Sequence, residues 1–418
     1  MDDDWRSYPE WCPPDWTGQA KTCQGWLETR RKDLEEKSLW RIHDGLYDVT
    51  DFIKHHPGGA YWLTVTQGTD ITEAFESHHL SDKARNILPK YFIRKATTKR
   101  NSPFTFEKDG FYETLRNRVK EKIKDQKGPS VQSKMMIDSL FTGTIIFSVL
   151  AGIYQNYIFA FVASLFLTFT TVCAHNFFHQ RDNWRMYFFQ LSLLSVRDWR
   201  ISHAMSHHLF PNTLHDLEIT MFEPWFQYLP RPDKSFTARF FSLLYWPIVY
   251  LLILFAESIS RLMVDPDGLK ELIPLVIPLS MILCNVPVIT AVIWWVLIIF
   301  MASFMFSLVG LNAAHHHPEI FHDGDEPRKN RDWGVYQLDA VRDRTEIKGI
   351  LPLVLILFGD HTLHHLFPTL DHAHLAKLYP VLEETCKEFN VDFKLHTIVD
   401  LLLGQFKQLT RNTKRKLS

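Results

Sequence analysis

Eight histidines fall into three clusters: His175-x-x-x-His179, His203-x-x-x-His207-His208 and His361-x-x-His364-His365. Spacings of three and four residues put side chains on one face of a helix, and neutral imidazole is the commonest metal ligand. Each cluster lies just beyond, or between, long apolar stretches. Polar side chains at such positions are hard to explain as packing and read as a metal site. Clusters two and three share five residues, His207-His-Leu-Phe-Pro211 and His364-His-Leu-Phe-Pro368. In each the proline ends a helix soon after the ligands. Five carboxylates stand close enough in sequence to orient imidazoles through their second nitrogen: Asp182, Asp198, Asp216, Asp360 and Asp371. Asp360, next to His361, is the first choice.

A separate histidine group lies upstream. His56-Pro57-Gly58-Gly59 reads as a tight turn in which proline fixes φ and the glycines permit close backbone approach. Tyr47-Asp-Val-Thr-Asp-Phe52 precedes it, and Asp70-Ile-Thr-Glu-Ala-Phe75-Glu-Ser-His78-His79 follows. Two neutral imidazoles facing each other across a planar macrocycle would saturate an iron and confine it to electron transfer. His43 and His55 are assigned to the surface.

The elements that must hold these groups differ along the chain. Residues 1–30, rich in Trp and Pro, read as an irregular arm, and 31–97 as a small α+β unit in which Trp40–Val49 alternates around an Asp-Gly turn. A charged linker spans 98–134; its amphipathic stretch Phe111–Val119 is expected on a membrane surface. Residues 137–174 carry one charge, Asp138, and fit two spanning helices with a turn at Gln155-Asn156. Three apolar runs follow, at 239–256, 273–286 and 288–310, the last two interrupted or preceded by Pro274, Pro278 and Pro287. Three crossings would put the third cluster on the opposite side from the first two. Two crossings are therefore expected, with 239–258, which holds Pro247 and Glu257, lying in the interface or re-entering. Both termini then share the face that bears the histidines.

The 418 residues carry 46 basic and 47 acidic side chains, a balance that gives no support for nucleic-acid binding. Aromatic residues make up 14%, with 32 Phe and 13 Trp, which suits membrane cores and interfaces. Cys12, Cys23, Cys173, Cys284 and Cys386 are scattered without paired spacing, so no disulfide framework is expected. The first residues lack the basic and apolar segments of a secretory signal, so insertion is expected to depend on internal segments.

Across about residues 38–95 the sequence resembles cytochrome b5. The resemblance implies a b-type haem with His56 as one axial ligand and His79, or alternatively His78, as the other. Phe52, Pro57, Gly58, Leu63 and Phe75 would wall its pocket. Over about 135–390 the clusters resemble the boxes of the membrane-bound fatty acid desaturase and hydroxylase superfamily. That resemblance implies two non-haem irons held by His175, His179, His203, His207, His208, His361, His364 and His365, which together activate oxygen and abstract hydrogen from an acyl methylene. Imidazole suits iron, and an all-nitrogen shell favours an oxidising centre. A further ligand is expected from Asn312-Ala-Ala-His315-His316-His317-Pro318: His316, with His315 close behind and His317 facing solvent. Two departures stand out: His361 occupies a position where desaturases with a fused b5 domain usually have Gln, and three residues, not two, separate His203 from the His207-His208 pair. The combination is similar to the cytochrome b5-related family.

The expected architecture is an α+β cytochrome b5-like haem domain, then an all-α multi-pass membrane desaturase-like domain over 135–395 and a basic tail over 396–418. The implied activity is a membrane-bound oxidoreductase of lipid metabolism, in which a b5 haem passes electrons to a di-iron centre that desaturates a fatty acyl chain. Alternatives are a lipid hydroxylase or a non-catalytic, membrane-anchored b5 carrier. Implied partners are the lipid bilayer, an acyl lipid substrate and an NAD(P)H-dependent reductase on the cytosolic face. The tail Lys414-Arg-Lys416-Leu-Ser418 resembles a Lys-x-Lys-x-x retrieval signal, which implies the endoplasmic reticulum membrane with cytosolic termini.

Overall fold

The structure, a computed structural model, describes residues 4–11, 20–124, 128–311 and 314–416. Near its start a short antiparallel sheet pairs Trp40–Ile42 with Gly45–Tyr47, and that strand with Phe92–Lys95. The turn falls at His43-Asp44, as the Asp-Gly signal requires. Helices Ala60–Thr66 and Thr72–His78 pack on this sheet, with Trp40, Ile42, Val49, Ile71 and Phe75 as the shared core. The arm is less irregular than expected. Cys23–Lys32 is a helix whose first turn is capped by the Thr22 hydroxyl, accepting from Gly25 N–H, and Trp26 and Leu27 are buried. Tyr8 and Trp11 enter the large core beneath, where the Trp11 ring stacks on His215 at 4.0 Å.

The linker helix Phe111–Lys122 departs from expectation more sharply. Phe111, Tyr112, Leu115 and Val119 are buried, in one core with Leu363, Leu366 and Leu382 of the second domain and with Tyr61, Trp62 and Val65 of the first packed against it. An apolar stripe states that one face is covered, not by what. Here protein takes the place assigned to membrane.

Among the described residues, four helices are long and apolar enough to cross a membrane: Val131–Tyr154, Tyr157–Phe178, Ser242–Val264 and Val288–Gly310. The first two form the expected hairpin. Gln155 takes a left-handed conformation and Asn156 caps the second helix through Ile158 N–H. The helix Ser242–Val264 lies crosswise to Val288–Gly310, and its contacts gather at that helix's histidine-proximal end. Trp246 meets Phe304, the Tyr250 carbonyl accepts from the Ser303 hydroxyl at 2.7 Å, and Phe255 meets Phe300. Arg239, just before it, donates to the Thr410 carbonyl, and Asp265, just after it, pairs with Arg197. Gly268–Leu283 instead runs lengthwise, from the Lys270 carbonyl beside Gln190 to Met281 and Val286 against Gly152. The crosswise run overlaps the segment expected to lie in the interface.

Candidate metal centre and haem site

His175 sits on the last turn of Tyr157–Phe178 and His179 follows one turn later, so the two rings share a face with Nε2 atoms 3.0 Å apart. The second cluster lies on a π-helical segment, Arg200–His207, closed by His208 N–H donating to the His203 carbonyl. A π-turn widens the helix by one residue. The extra residue that sets this box apart is thereby absorbed, and both His207 and His208 stay beside His203. The third cluster occupies the helix His361–Leu366, whose start is held by Asp343 Oδ1 accepting from Thr362 N–H at 3.1 Å.

These three helices converge. His175 Nε2 lies 2.8 Å from His203 Nε2 and 3.2 Å from His364 Nε2, and His208 Nε2 lies 3.0 Å from His203 Nε2. Ligand atoms of His175, His179, His203, His208 and His364 all fall within 4.8 Å of one another. A second group unites His207, His315 and His365, with the His315 and His361 Nε2 atoms 2.7 Å apart. Nitrogens bonded to one metal at about 2.1 Å sit roughly 3 Å apart when mutually perpendicular. Two metal ions therefore fit the nitrogens present.

The histidine-rich loop after Val288–Gly310 corrects one expectation. His315, not His316, turns into the cluster. The His316 ring instead stacks on Tyr228 at 3.6 Å, nearly parallel at 4°. Adjacent side chains on a non-helical segment point apart, so one of two neighbouring histidines enters and the other packs. His317 is buried rather than solvent-facing and groups with His396 and Asp400. Asn312, part of the same motif, lies outside the described residues.

The acidic partners are also partly different. Of the five proposed, Asp216 receives an imidazole proton, from His207 Nδ1 at 2.9 Å. Asp360 accepts from Gly349 N–H and lies 2.9 Å from the Tyr379 hydroxyl, bracing the helix start instead of reaching an imidazole. Asp182 pairs with Arg200 and Asp198 with Arg197, while Asp371 accepts from Ser133 and Asn176. Glu218, missed in the sequence, accepts from His203 Nδ1 at 2.6 Å, and Gln337 Oε1 accepts from His365 Nδ1 at 3.2 Å. Glu218 lies fifteen residues from His203, beyond any local spacing rule. Burial opposes a charge on His207, yet Glu218 and Asp216 carry its pKa up to about 9. A cation at Nε2 would take the place of that proton. Burial holds His208, His315, His361, His364 and His365 well below the ordinary value, so these rings are neutral and ready to ligate.

In the first domain the rings of His56 and His79 lie with centres 6.0 Å apart and planes inclined by 72°. That gap accommodates one metal ion bonded to both rings at about 2 Å per bond. Each Nδ1–H is already committed, His56 to the Gly59 carbonyl at 2.8 Å and His79 to the Phe75 carbonyl at 2.9 Å, which leaves both Nε2 atoms for a haem iron. His78 turns away toward Trp62, and burial lowers its pKa to about 3. Phe52 packs near His56 and Phe75 near His79, with Leu63 beside this core. Gly58 lies under the His56 ring, where a Cβ would come within 3.0 Å of Cε1.

Among the described residues, a cavity reaches the histidine cluster. It encloses about 1440 Å³, its open mouth included, and runs from Lys21, Arg197 and Asp265 past Leu254 and Phe306 to His203, His207, His315 and His361. Its inner wall is mainly apolar, the shape expected for a flexible chain presented end-on to the cluster.

The comparisons with known proteins agree with this division. Residues 26–97 match the cytochrome b5-like haem/steroid-binding domain family, and residues 153–395 match the fatty acid desaturase family. A cytochrome b5-related protein of Drosophila melanogaster is 42% identical over 400 residues, covering 93% of this chain and 92% of its own length. A probable Delta(5) fatty acid desaturase C of Dictyostelium discoideum is 25% identical, covering 90% of this chain and 92% of its own length. An acyl-lipid (8-3)-desaturase of Mortierella alpina is 22% identical over 90% of this chain and 94% of its own length. No solved structure matches. With its paired-histidine haem site, its clustered boxes and these relatives, the chain belongs to the fatty acid desaturase family, as a member with a cytochrome b5 domain at its N-terminal end.

Proposed function

We propose that this membrane oxidoreductase is an oxygen-dependent desaturase of lipid acyl chains, fed by its own haem domain. His56 and His79 hold the haem. His175, His179, His203, His208 and His364 would hold one iron, and His207, His315 and His365, with His361 beside them, would hold the other. When bound, the irons supply oxygen activation and hydrogen abstraction from an unactivated methylene, and the haem supplies single electrons.

The rest belongs to the chain's own residues. Glu218, Asp216 and Gln337 fix the tautomer and tilt of His203, His207 and His365 by accepting their Nδ1 protons. Leu254, Phe306 and Phe358 keep water from the inner cavity and align an acyl chain with the cluster. Fusing donor to acceptor raises effective concentration, so electron delivery does not wait on diffusion. The endoplasmic reticulum membrane, with both termini in the cytosol, suits a reductase partner that draws on NAD(P)H. Arg415 and Lys416 are tied to Pro318 and Glu326, while Leu417 and Ser418 of the tail motif lie outside the described residues.

The observation that carries this reading is the convergence of nine imidazoles from four segments beside a mainly apolar cavity that His203, His207, His315 and His361 line. Expression in cells lacking an endogenous desaturase, followed by lipid profiling, tests it. New double bonds are expected. New hydroxyl groups would make the enzyme a hydroxylase, and an unchanged profile with both cofactors loaded would favour an electron carrier.

A further inference from the structure

The haem domain touches the iron-box domain through specific hydrogen bonds as well as through apolar packing. The Tyr112 hydroxyl lies 3.1 Å from the Leu366 carbonyl and 3.3 Å from the Glu76 carbonyl, a shared-donor arrangement at a fully buried phenol. Leu366 directly follows His365 in the third box, and Glu76 lies three residues before His79 on the haem-side helix. The Thr369 hydroxyl donates, at 3.4 Å, to the carbonyl of His78, the residue bonded to His79. Arg116 Nη2 donates to the carbonyl of His79 itself at 2.9 Å.

The same linker helix locks this junction from both sides. Glu113 accepts from Arg85 of the haem domain at 2.7 Å, and the Tyr112 ring meets Trp333 edge-on at 4.9 Å. On the other flank of the haem loop, Tyr61 donates to the Arg197 carbonyl, the Arg200 guanidinium lies over Trp62, and Gly59 sits against Asp182, just beyond the first box. Gly59 has a φ of 114°, and a Cβ there would overlap the Asp182 carboxylate. Such a junction is built, not merely tethered.

We infer that the haem domain stays docked during turnover and that Tyr112 is the bridging residue through which an electron passes from the His79 side of the haem to the His365 side of the iron cluster. The inference rests on the functional reading above. Electron transfer falls off less steeply along covalent and hydrogen-bonded links than across van der Waals gaps. From His79 the route follows backbone to Glu76, crosses the Tyr112 hydroxyl to Leu366, and reaches the box ligand one residue away. One electron leaves the reduced haem and reduces the histidine-held iron. No bond forms or breaks, and the phenol keeps its proton, since burial pushes its pKa far above the ordinary value.

Tyr112→Phe keeps the ring and its packing and removes only the hydroxyl, so it tests the bridge without unfolding the junction. Full-length protein loaded with haem and iron is reduced, mixed with oxygen, and followed by stopped-flow haem absorbance. Haem spectrum, midpoint potential and resistance of the linker to limited proteolysis are expected to match wild type, while haem reoxidation slows severalfold. Thr369→Val is expected to slow it less, because its contact is longer. An unchanged reoxidation rate in Tyr112→Phe, with wild type reoxidising normally, overturns the bridge alone. If wild-type haem fails to reoxidise through the iron cluster at all, the functional reading falls and the bridge falls with it.

Discussion

His207 and His315 lie 108 residues apart in sequence, yet their Nε2 atoms stand 3.0 Å apart, and His361 Nε2 approaches His315 within 2.7 Å. Three segments thus present nitrogens to one point, and the loop after the last long helix supplies the central one. His315→Ala is expected to remove one of the two proposed irons, measured by metal analysis of purified protein, and to abolish lipid oxidation. His316→Ala, which removes a stacking partner of Tyr228, is expected to keep both irons. Loss of iron in His316→Ala but not in His315→Ala would reverse this assignment.

Glu218 and Asp216 hold His203 and His207 through Nδ1, so in the proposed metal centre they would orient two ligands. Partners of this kind are typically worth about 10–100-fold in metal affinity or activity. Glu218→Gln is expected to weaken iron retention by a factor in that range in a chelator competition assay. Asp360→Asn, which touches no imidazole, is expected to leave retention unchanged and to lower thermal stability.

Haem binding separates His78 from His79. His56→Ala and His79→Ala are each expected to erase the two-histidine haem spectrum of the full-length protein. His78→Ala is expected to preserve it, because that ring faces Trp62. A retained two-histidine spectrum in His79→Ala would transfer the ligand role to His78.

The attachment of the haem domain to the linker depends on pH in a defined direction. Burial opposes charge on Asp70, but Arg100, 2.8 Å away, and Thr72 hold its pKa below the ordinary value. Burial likewise opposes charge on Glu76, which His43 and Arg85 hold low. A carboxylate with a depressed folded-state pKa adds stability above its unfolded value, about 4, and loses it as pH falls through the folded value. Stability is therefore expected to fall below about pH 4. At neutral pH, Arg100→Gln is expected to cost roughly 3 kcal/mol, since it strands Asp70 and Glu73. The gap in melting temperature between wild type and variant should then narrow below pH 4. A gap that stays constant down to pH 3 would refute the ion-pair account.

The cavity makes its own prediction. Ile253→Trp places an indole in the channel between its mouth and the cluster. Product formation is expected to stop, with haem and iron content unchanged. Normal product yield would show that the acyl chain takes another path.

Much of the site was legible because its information is local. The HxxxH, HxxxHH and HxxHH spacings, the His-Pro-Gly-Gly turn and the Asp-Gly hairpin each depend on a few consecutive residues. The Gln155-Asn156 turn was equally readable, since a left-handed residue followed by a capping side chain needs no distant partner. The carboxylates were not. Asp360 is adjacent to His361, but a left-handed backbone at Asp360 (φ 48°) goes with a side chain bonded to Gly349 and Tyr379. Glu218 reaches His203 across a folded loop that no spacing rule describes.

By itself, then, the sequence determined the chemistry: which residues can ligate, that one pair suits a closed haem and the other sets an open metal cluster, and that apolar helices must carry them. Only tertiary structure decided which neighbour points inward where the sequence favoured the other, as with His315 over His316. It also decided that the stripe on Phe111–Lys122 is buried between two domains instead of on a membrane. The reason is physical. Residue type and periodicity state what a side chain can do and that a face is covered, whereas the partner it meets is set by long-range packing that no short window of sequence contains.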